Sequence, residues 1–362
     1  MERHDIAGSV WIPYGNPPKK VLFSAEWRLL SYGIQMGGEI AYDAVLSQCW
    51  EVVMDIAVLM DELESIKPYK DTTFALMLAA QALGHRVMVF GQRDWQVRDG
   101  AVQAYVRTVQ LYDQDEDYFR VLNEEVIDLG EVDVLLQRKD PPFNLRYVYD
   151  SYMLDLLEAQ GVRVVNPPQA LRNMNEKFAI PRLPQCTPET LVTKSRGEIL
   201  AFLREFGEAV AKPLDGMGGS GVFKLTQGDK NTNAILDAMN PDGLQTLMVQ
   251  RYLDKVSEGD KRILVINGAA VDHGLARLPA EGEFRANLAA GGRGVVQPLS
   301  EREWWIVEQV KPLIAEQQLY LAGLDVIGGY LTELNVTSPT CMREIEKATG
   351  QPIARRFWEG LA

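Results

Sequence analysis

The stretch "AKPLDGMGGSGVF", Ala211–Phe223, runs from an apolar strand end through a glycine-rich loop into a second strand. Such a loop lays backbone N–H groups around phosphate oxygens, because glycine reaches positive φ and has no side chain in the way. The phosphate loop of kinases ends in Gly-Lys-Ser/Thr and opens a helix. Here the order is reversed. Lys212 closes the first strand, Gly216, Gly218 and Gly219 follow, and the chain returns as a strand. That order suits a β-hairpin flap over a nucleotide, with Lys212 beside the phosphates. The competing reading is a structural hairpin whose glycines only permit tight turning.

The segments around this hairpin alternate between strand and helix. Upstream, "MDIAVLMDEL" is a short apolar strand ending in acids, and "FALMLAAQALG" a helix with Thr72 or Thr73 as N-cap and Gly84 just past its end. "HRVMVF" is the next strand. "WQVRDGAVQAYVR" is a hairpin, since Asp99-Gly100 suits the positive φ angles of a type I′ turn. "VDVLLQRKDPPF" ends a buried strand in a charged loop, and a helix over Arg146–Glu158 with the strand "VRVVN" completes an α/β layer. After the glycine hairpin, "KRILVINGAAVDHGLARL" turns at Asn267-Gly268, a long helix covers Glu301–Glu316, and strands occupy Gly323–Val336.

"GLDVIGGYLTELNV", Gly323–Val336, places Asp325, Glu333 and Asn335 in one strand pair. Magnesium takes hard oxygen ligands and shares carboxylates with nucleotide phosphates. Glu333 and Asn335 share a face because side chains alternate along a strand. A two-residue Gly328-Gly329 turn puts Asp325 on the opposite face from Glu333; a three-residue loop over Ile327–Gly329 pairs Val326 with Tyr330 and brings all three together. The three-residue loop is the expectation. The apolar neighbours Leu324, Val326, Leu334 and Val336 argue against a merely solvated acidic hairpin, since unpaired carboxylates are costly in a buried pair.

"RLPAEGEFRANLAAGGRG", Arg277–Gly294, holds four glycines and three arginines in eighteen residues without a period. It reads as a lid that shields a hydrolysable intermediate, or as a plain surface loop. With 362 residues, 46% hydrophobic, the chain is long enough for two or three domains. A formal net charge of -13 excludes non-specific nucleic-acid binding. No apolar run reaches the ~20 residues that span a bilayer. Three widely spaced cysteines form neither a disulfide framework nor a zinc site, and the N-terminus lacks a secretory pattern. A cytoplasmic protein is expected.

Taken together, "QRKDPPF", "NEKF", "TPETLVT", "KPLDGMGG", "GDKRILVI", "NLAAGGRG", "GLDVIG" and "LTELNVTSPTCMREIE" resemble the bacterial glutathione synthetases, a family of ATP-grasp ligases. The resemblance runs from about Met54 to Gly350. It implies an α/β protein with the ATP-grasp fold: an N-terminal doubly wound α/β domain (54–173), a central lid subdomain (174–255) and a C-terminal catalytic α+β domain (256–362). It also implies ligation of γ-glutamylcysteine and glycine, with ATP as co-substrate and Mg2+, replaceable by Mn2+. By the same resemblance Lys177, Lys212 and the loop glycines hold the phosphates, and Gln250, Arg251, Tyr252 and Leu253 form the adenine hinge. Asp325, Glu333 and Asn335 are the metal ligands, and Arg262 and Arg277 lie near the phosphates and the reacting carboxylate. Asp260, Arg285, Asn287, Ser338, Pro339 and Thr340 surround the peptide substrate and lid, with Asp61 and Lys70 as further contacts. Cys341 is assigned to packing. A homo-oligomer, a tetramer, is expected, with neither nucleic acid nor membrane as partner. Residues 1–53 have no counterpart in the family and no sustained period, so Met54 is the expected initiator. A related ligase for another acidic peptide and amine is the alternative enzyme, and a nucleotide-binding module without activity the alternative class.

Overall fold

Three sheets follow one another along the chain. The computed structural model describes residues 53–280, 286 and 291–361, so the expectation for residues 1–53 lies, but for Val53, outside the described residues. The first sheet contains β1 (Asp55–Leu59), β2 (Arg86–Phe90), β3 (Trp95–Arg98), β4 (Ala101–Leu111), β5 (Phe119–Asp128), β6 (Val134–Gln137) and β7 (Arg163–Val165). Strands β2, β1, β6 and β7 are parallel neighbours in that order. Alternate β1 residues face opposite ways. Ile56 and Val58 pack with Phe74 and Met77 of the helix Thr72–Ala82, while Ala57 and Leu59 pack with Tyr147 and Leu154 of the helix Leu145–Ala159. Helices on both faces of a parallel sheet make the doubly wound layer.

Two details differ from the sequence expectation. The N-cap of the helix Thr72–Ala82 is Asp71, whose carboxylate accepts from the Phe74 N–H at 2.7 Å. Thr72 and Thr73 lie inside the first turn and use their hydroxyls elsewhere, accepting from Met342 N–H (3.2 Å) and Arg138 Nε (3.0 Å). Strand β5 has no signature in "FRVLNEEVID"; antiparallel pairing along β4 imposes it, and tertiary pairing outweighs its weak propensity. The hairpin at Asp99-Gly100 is as expected, with φ of 51° and 84°.

The second sheet joins β8 (Thr190–Thr193), β9 (Glu208–Pro213), β10 (Phe223–Thr226) and β11 (Leu247–Arg251) in the antiparallel order β10-β9-β11-β8. The glycine loop connects β9 to its neighbour β10, the flap read from the sequence. The third sheet holds β12 (Asp260–Ile266), β13 (Ala269–Ala270), β14 (His273–Leu278), β15 (Arg293–Pro298), β16 (Leu321–Ile327) and β17 (Tyr330–Asn335). Its order is β15-β14-β12-β16-β17, with β13 pairing β12. The long helix Glu301–Glu316 opens on a capping box between Ser300 and Glu303 and packs against this sheet through Ile306 and Val310.

The first and third sheets are stitched by one buried amide. Asn166, just past β7, donates to the Leu321 and Val336 carbonyls (both 2.7 Å) and accepts from Tyr320 and Leu321 N–H (2.8 and 3.0 Å). Both donors and both lone pairs of the amide are used, which holds the β16–β17 pair in one position against the first sheet.

Candidate active site

The glycine loop, β11 and β17 line an open cleft of about 810 Å³. Lys177, Lys212, Gly216, Gly218, Gly219 and the segment Gln250–Leu253 all line it. Gly218 and Gly219 have φ of 62° and 81°, the left-handed region that disfavours a side chain. Gly216 has a different reason: a Cβ there would meet the Ser220 carbonyl and the Pro213 ring at 3.0 Å. The buried Lys177 ammonium donates to the Gly216 carbonyl at 2.6 Å and to Glu176. Gln250 lies in β11 between β8 and β9, and its side-chain amide donates to Thr190 Oγ1 at 3.1 Å. Arg251 is paired with Glu189, and Tyr252 lies under the Lys224 ammonium at 3.7 Å.

The β16–β17 pair places the acids by a route the sequence did not predict. The turn is the two-residue one: Ile327 pairs with Tyr330 across Gly328-Gly329, whose φ values are 56° and 83°. The expected three-residue loop is absent. A β-bulge corrects the facing instead. Val326 pairs with Leu331 but Asp325 pairs with Glu333, leaving Thr332 as the extra residue. Thr332 is pinned there by its hydroxyl, which donates to the Asp325 carbonyl at 3.1 Å. Asp325, Glu333 and, two residues on, Asn335 therefore share one face.

Glu333 Oε1 lies 3.9 Å from the Lys177 ammonium and 3.8 Å from that of Lys212. Burial alone would lower the Lys177 pKa, but Glu333 and Glu176 outweigh it and keep the amine charged. Glu176 is pushed up by burial and by the Glu333 charge. On the other side, Asp325 is gripped by Arg262 through two bonds and by Arg277 at 2.8 Å. Arg277 also holds Asp260, at 2.7 Å. Burial would raise the Asp325 carboxyl, yet the two guanidinium groups hold it well below the usual carboxylate range. Asp260 goes the other way, raised to about 6 by burial that Arg277 only partly offsets.

A second cleft, of about 1650 Å³, opens beside the first. Its lining includes Asp61, Lys70, Arg262, Arg277, Asp325, Asn335, Ser338 and Thr340. Asp61 is paired with Lys139 at 2.7 Å. Two expected substrate contacts fall elsewhere. Pro339 is buried behind the cleft, its carbonyl accepting from Arg138 at 2.9 Å, and Asp260 lines the first cleft beside the hinge. Arg285 and Asn287 lie outside the described residues; Ala286 between them lines the first cleft. Cys341 is buried, starting the helix Met342–Thr349 at a φ of 85°, and burial raises its thiol pKa. Sequence reasoning assigned no role to Glu176 or Arg138, although each stands inside a family motif. Glu176, Met217, Gly218 and Glu333 line both clefts, which meet there.

The donor set suits a divalent cation. Glu333 and Asn335 present hard oxygen donors on one face, with Asp325, held by Arg262 and Arg277, directly across the strand pair, and magnesium keeps its remaining positions for water and phosphate. Among the described residues no group of three or more His, Cys, Asp or Glu stands together as a self-sufficient metal site.

Comparison with known proteins defines the class and then the family. The fold is that of ATP-grasp ligases. The D-cycloserine synthetase DcsG superposes with a TM-score of 0.61 at 15% identity, covering 85% of this chain and all of that one. The RimK domain ATP-grasp protein of Sphaerobacter thermophilus gives 0.56 at 15% identity, over 84% and 98% of the two chains. The sequence carries the assignment further. Residues 54–172 match the prokaryotic glutathione synthetase N-terminal domain and residues 176–350 the prokaryotic glutathione synthetase ATP-grasp domain. The glutathione synthetase of Pseudomonas aeruginosa is 45% identical over 307 residues, 85% of this chain and 97% of that one. That of Xylella fastidiosa (strain Temecula1) is 42% identical over 308 residues, 85% and 98%. The chain belongs to the prokaryotic glutathione synthetase family. The resemblance read from the motifs, and the ATP-dependent ligase it implied, are borne out.

Proposed function

We propose that this chain joins γ-glutamylcysteine to glycine at the expense of ATP, through an acyl phosphate. One observation carries the reading. Glu333 stands where the two clefts meet, within 4 Å of both lysine ammoniums and directly across the strand pair from Asp325. A nucleotide in the first cleft, with its base at Gln250–Leu253, points its phosphates at Lys177, Lys212 and the glycine loop. A dipeptide in the second cleft presents its cysteinyl carboxylate to the same junction. The carboxylate oxygen attacks the terminal phosphorus and ADP leaves; the glycine amine then attacks the acyl carbon and phosphate leaves. No enzyme nucleophile is needed, so the chain's residues position the reactants and stabilise charge.

Asp325, Glu333 and Asn335 would hold magnesium, or manganese in its place, and the metal would neutralise phosphate charge when bound. Arg262 and Arg277 keep Asp325 ionised and oriented, and Asp260 completes the pair with Arg277. Arg285, Asn287, Ser338 and Thr340 would belong to the surroundings of the peptide substrate and the lid. The division into an N-terminal domain (54–173), a lid subdomain (174–255) and a catalytic domain (256–362) follows the three sheets. The protein works in the cytoplasm as a homo-oligomer, a tetramer by family resemblance. Among the described residues no helix is long and apolar enough to cross a membrane.

The test is ADP release by the purified protein with MgATP and γ-glutamylcysteine, with and without glycine. Glycine-dependent release with a tripeptide product supports the reading. Turnover only with another amine keeps the ligase and changes the acceptor; no turnover with any amine overturns it.

A further inference from the structure

The proposed reaction makes a geometric demand that neither cleft meets alone. In-line attack needs the carboxylate oxygen and the phosphorus within about 3–3.5 Å of each other. The wall of the second cleft includes Arg138 and Asp140, just past β6 of the first sheet, whereas Asp325 and Glu333 stand on β16 and β17 of the third. The placement of one sheet against the other is therefore a variable of the chemistry.

Apolar packing joins the two sheets, with Leu136 and Val165 sharing a core with Leu264, Ile266 and Leu321. Such packing is non-directional and does not by itself fix sliding. Bonds from Arg138 to the Pro339 carbonyl and from Met342 N–H to Thr72 Oγ1 hold the loop and helix that follow β17. Asn166 grips the backbone of the strand pair itself. It is 3% exposed and lines neither cleft. Its amide nitrogen reaches the carbonyl of Leu321, where β16 begins, and that of Val336, the residue after Asn335, both at 2.7 Å. Its oxygen takes the N–H groups of Tyr320 and Leu321 at 2.8 and 3.0 Å. Four directional bonds thus converge on one side chain at the end of the strand pair that carries Asn335.

We propose that Asn166 is a positioning residue for phosphoryl transfer, its amide setting the offset between the metal-bearing strand pair and the wall that receives the dipeptide. The inference deepens the ligase reading and rests on it. Asparagine suits the place because it offers two donors and two lone pairs on a short stem. Aspartate keeps the size and the acceptor side but turns an oxygen toward the Leu321 and Val336 carbonyls, so the strand pair must shift.

The experiment compares the full-length parent with Asn166→Asp in the glycine-dependent ligation assay. Turnover is counted per nucleotide site, titrated by equilibrium dialysis with magnesium and the non-hydrolysable analogue AMP-PNP, so that unfolded protein is not counted. Each substrate still meets its own wall in the variant. A fall of roughly 100-fold in kcat per site is therefore expected, with KM for ATP and for γ-glutamylcysteine within about twofold of the parent. A merely structural role gives fewer sites, each turning over at the parental rate, and that result overturns the proposal while leaving the ligase. A rise in either KM that accounts for the whole loss also overturns it, because the residue would then shape one wall and not the offset. If Asn166→Asp binds no nucleotide, Asn166→Ser repeats the measurement, and absence of nucleotide sites in both variants assigns the amide to folding alone and overturns the proposal. Absence of turnover by the parent removes the ligase reading and this inference with it.

Discussion

The two antiparallel strand pairs that line the proposed site are built on opposite principles. The β9–β10 pair ends in a long loop whose glycines, Gly218, Gly219 and Gly221, hold positive φ and whose tip is largely exposed. The β16–β17 pair ends in a two-residue turn, and its acids are locked by a bulge, two arginines and two lysines. In the proposed function the first would contribute backbone N–H groups, which the absence of side chains leaves open. The second would contribute charge, and its acids are held in place by neighbouring cations. Loops with few buried contacts adapt to a ligand at small cost, whereas a buried ion network tolerates almost no change.

Substitutions separate the two regions. The largest loss is expected for Glu333→Ala, which removes the group opposite Asp325 and between the two lysines. ADP formation should fall by about 1000-fold with the circular dichroism spectrum intact, and activity within tenfold of the parent would break the assignment of the strand pair. Arg262→Met leaves Asp325 with Arg277 as its sole counter-charge. A loss of about 3–5 kcal/mol in unfolding free energy is expected, read from the urea midpoint; an unchanged midpoint would show that the network is not what holds these strands. Lys212→Ala, at the root of the hairpin, should lower turnover by roughly 100-fold without moving that midpoint, so that chemistry and stability part company there. In the loop itself, Gly218→Ala should raise KM for ATP by about tenfold and cost about 1 kcal/mol of stability through its positive φ, while leaving kcat near the parent. The smallest effect belongs to Thr332→Val, which removes the hydroxyl that pins the bulge. About 1 kcal/mol of stability should be lost, and a larger fall in activity than in stability would show that the bulge positions Glu333.

Much of the fold was legible in the sequence, because its signals are local. Periodicity placed the helix Glu301–Glu316, whose capping box marks its start, and Asp99-Gly100 and Asn267-Gly268 marked turns that need positive φ. Strand β5 was not legible. Its residues carry no pattern of their own, and the edge of β4 decides their conformation. The choice of Asp71 over its threonine neighbours as helix cap was equally hidden, since all three side chains can cap and only the distant demands of Met342 and Arg138 distinguish them.

The site divides in the same way. The sequence by itself determined which residue types are present: two lysines, three oxygen-bearing side chains, a glycine loop and a family signature around them. It determined Glu333 and Asn335 as neighbours on one face, because alternation along a strand is a local rule. Only the tertiary structure decided that Asp325 joins them. The turn alone would have sent that acid to the other face, and a single extra residue, Thr332, returned it. Register is a property of two strands together, so no reading of either strand separately contains it.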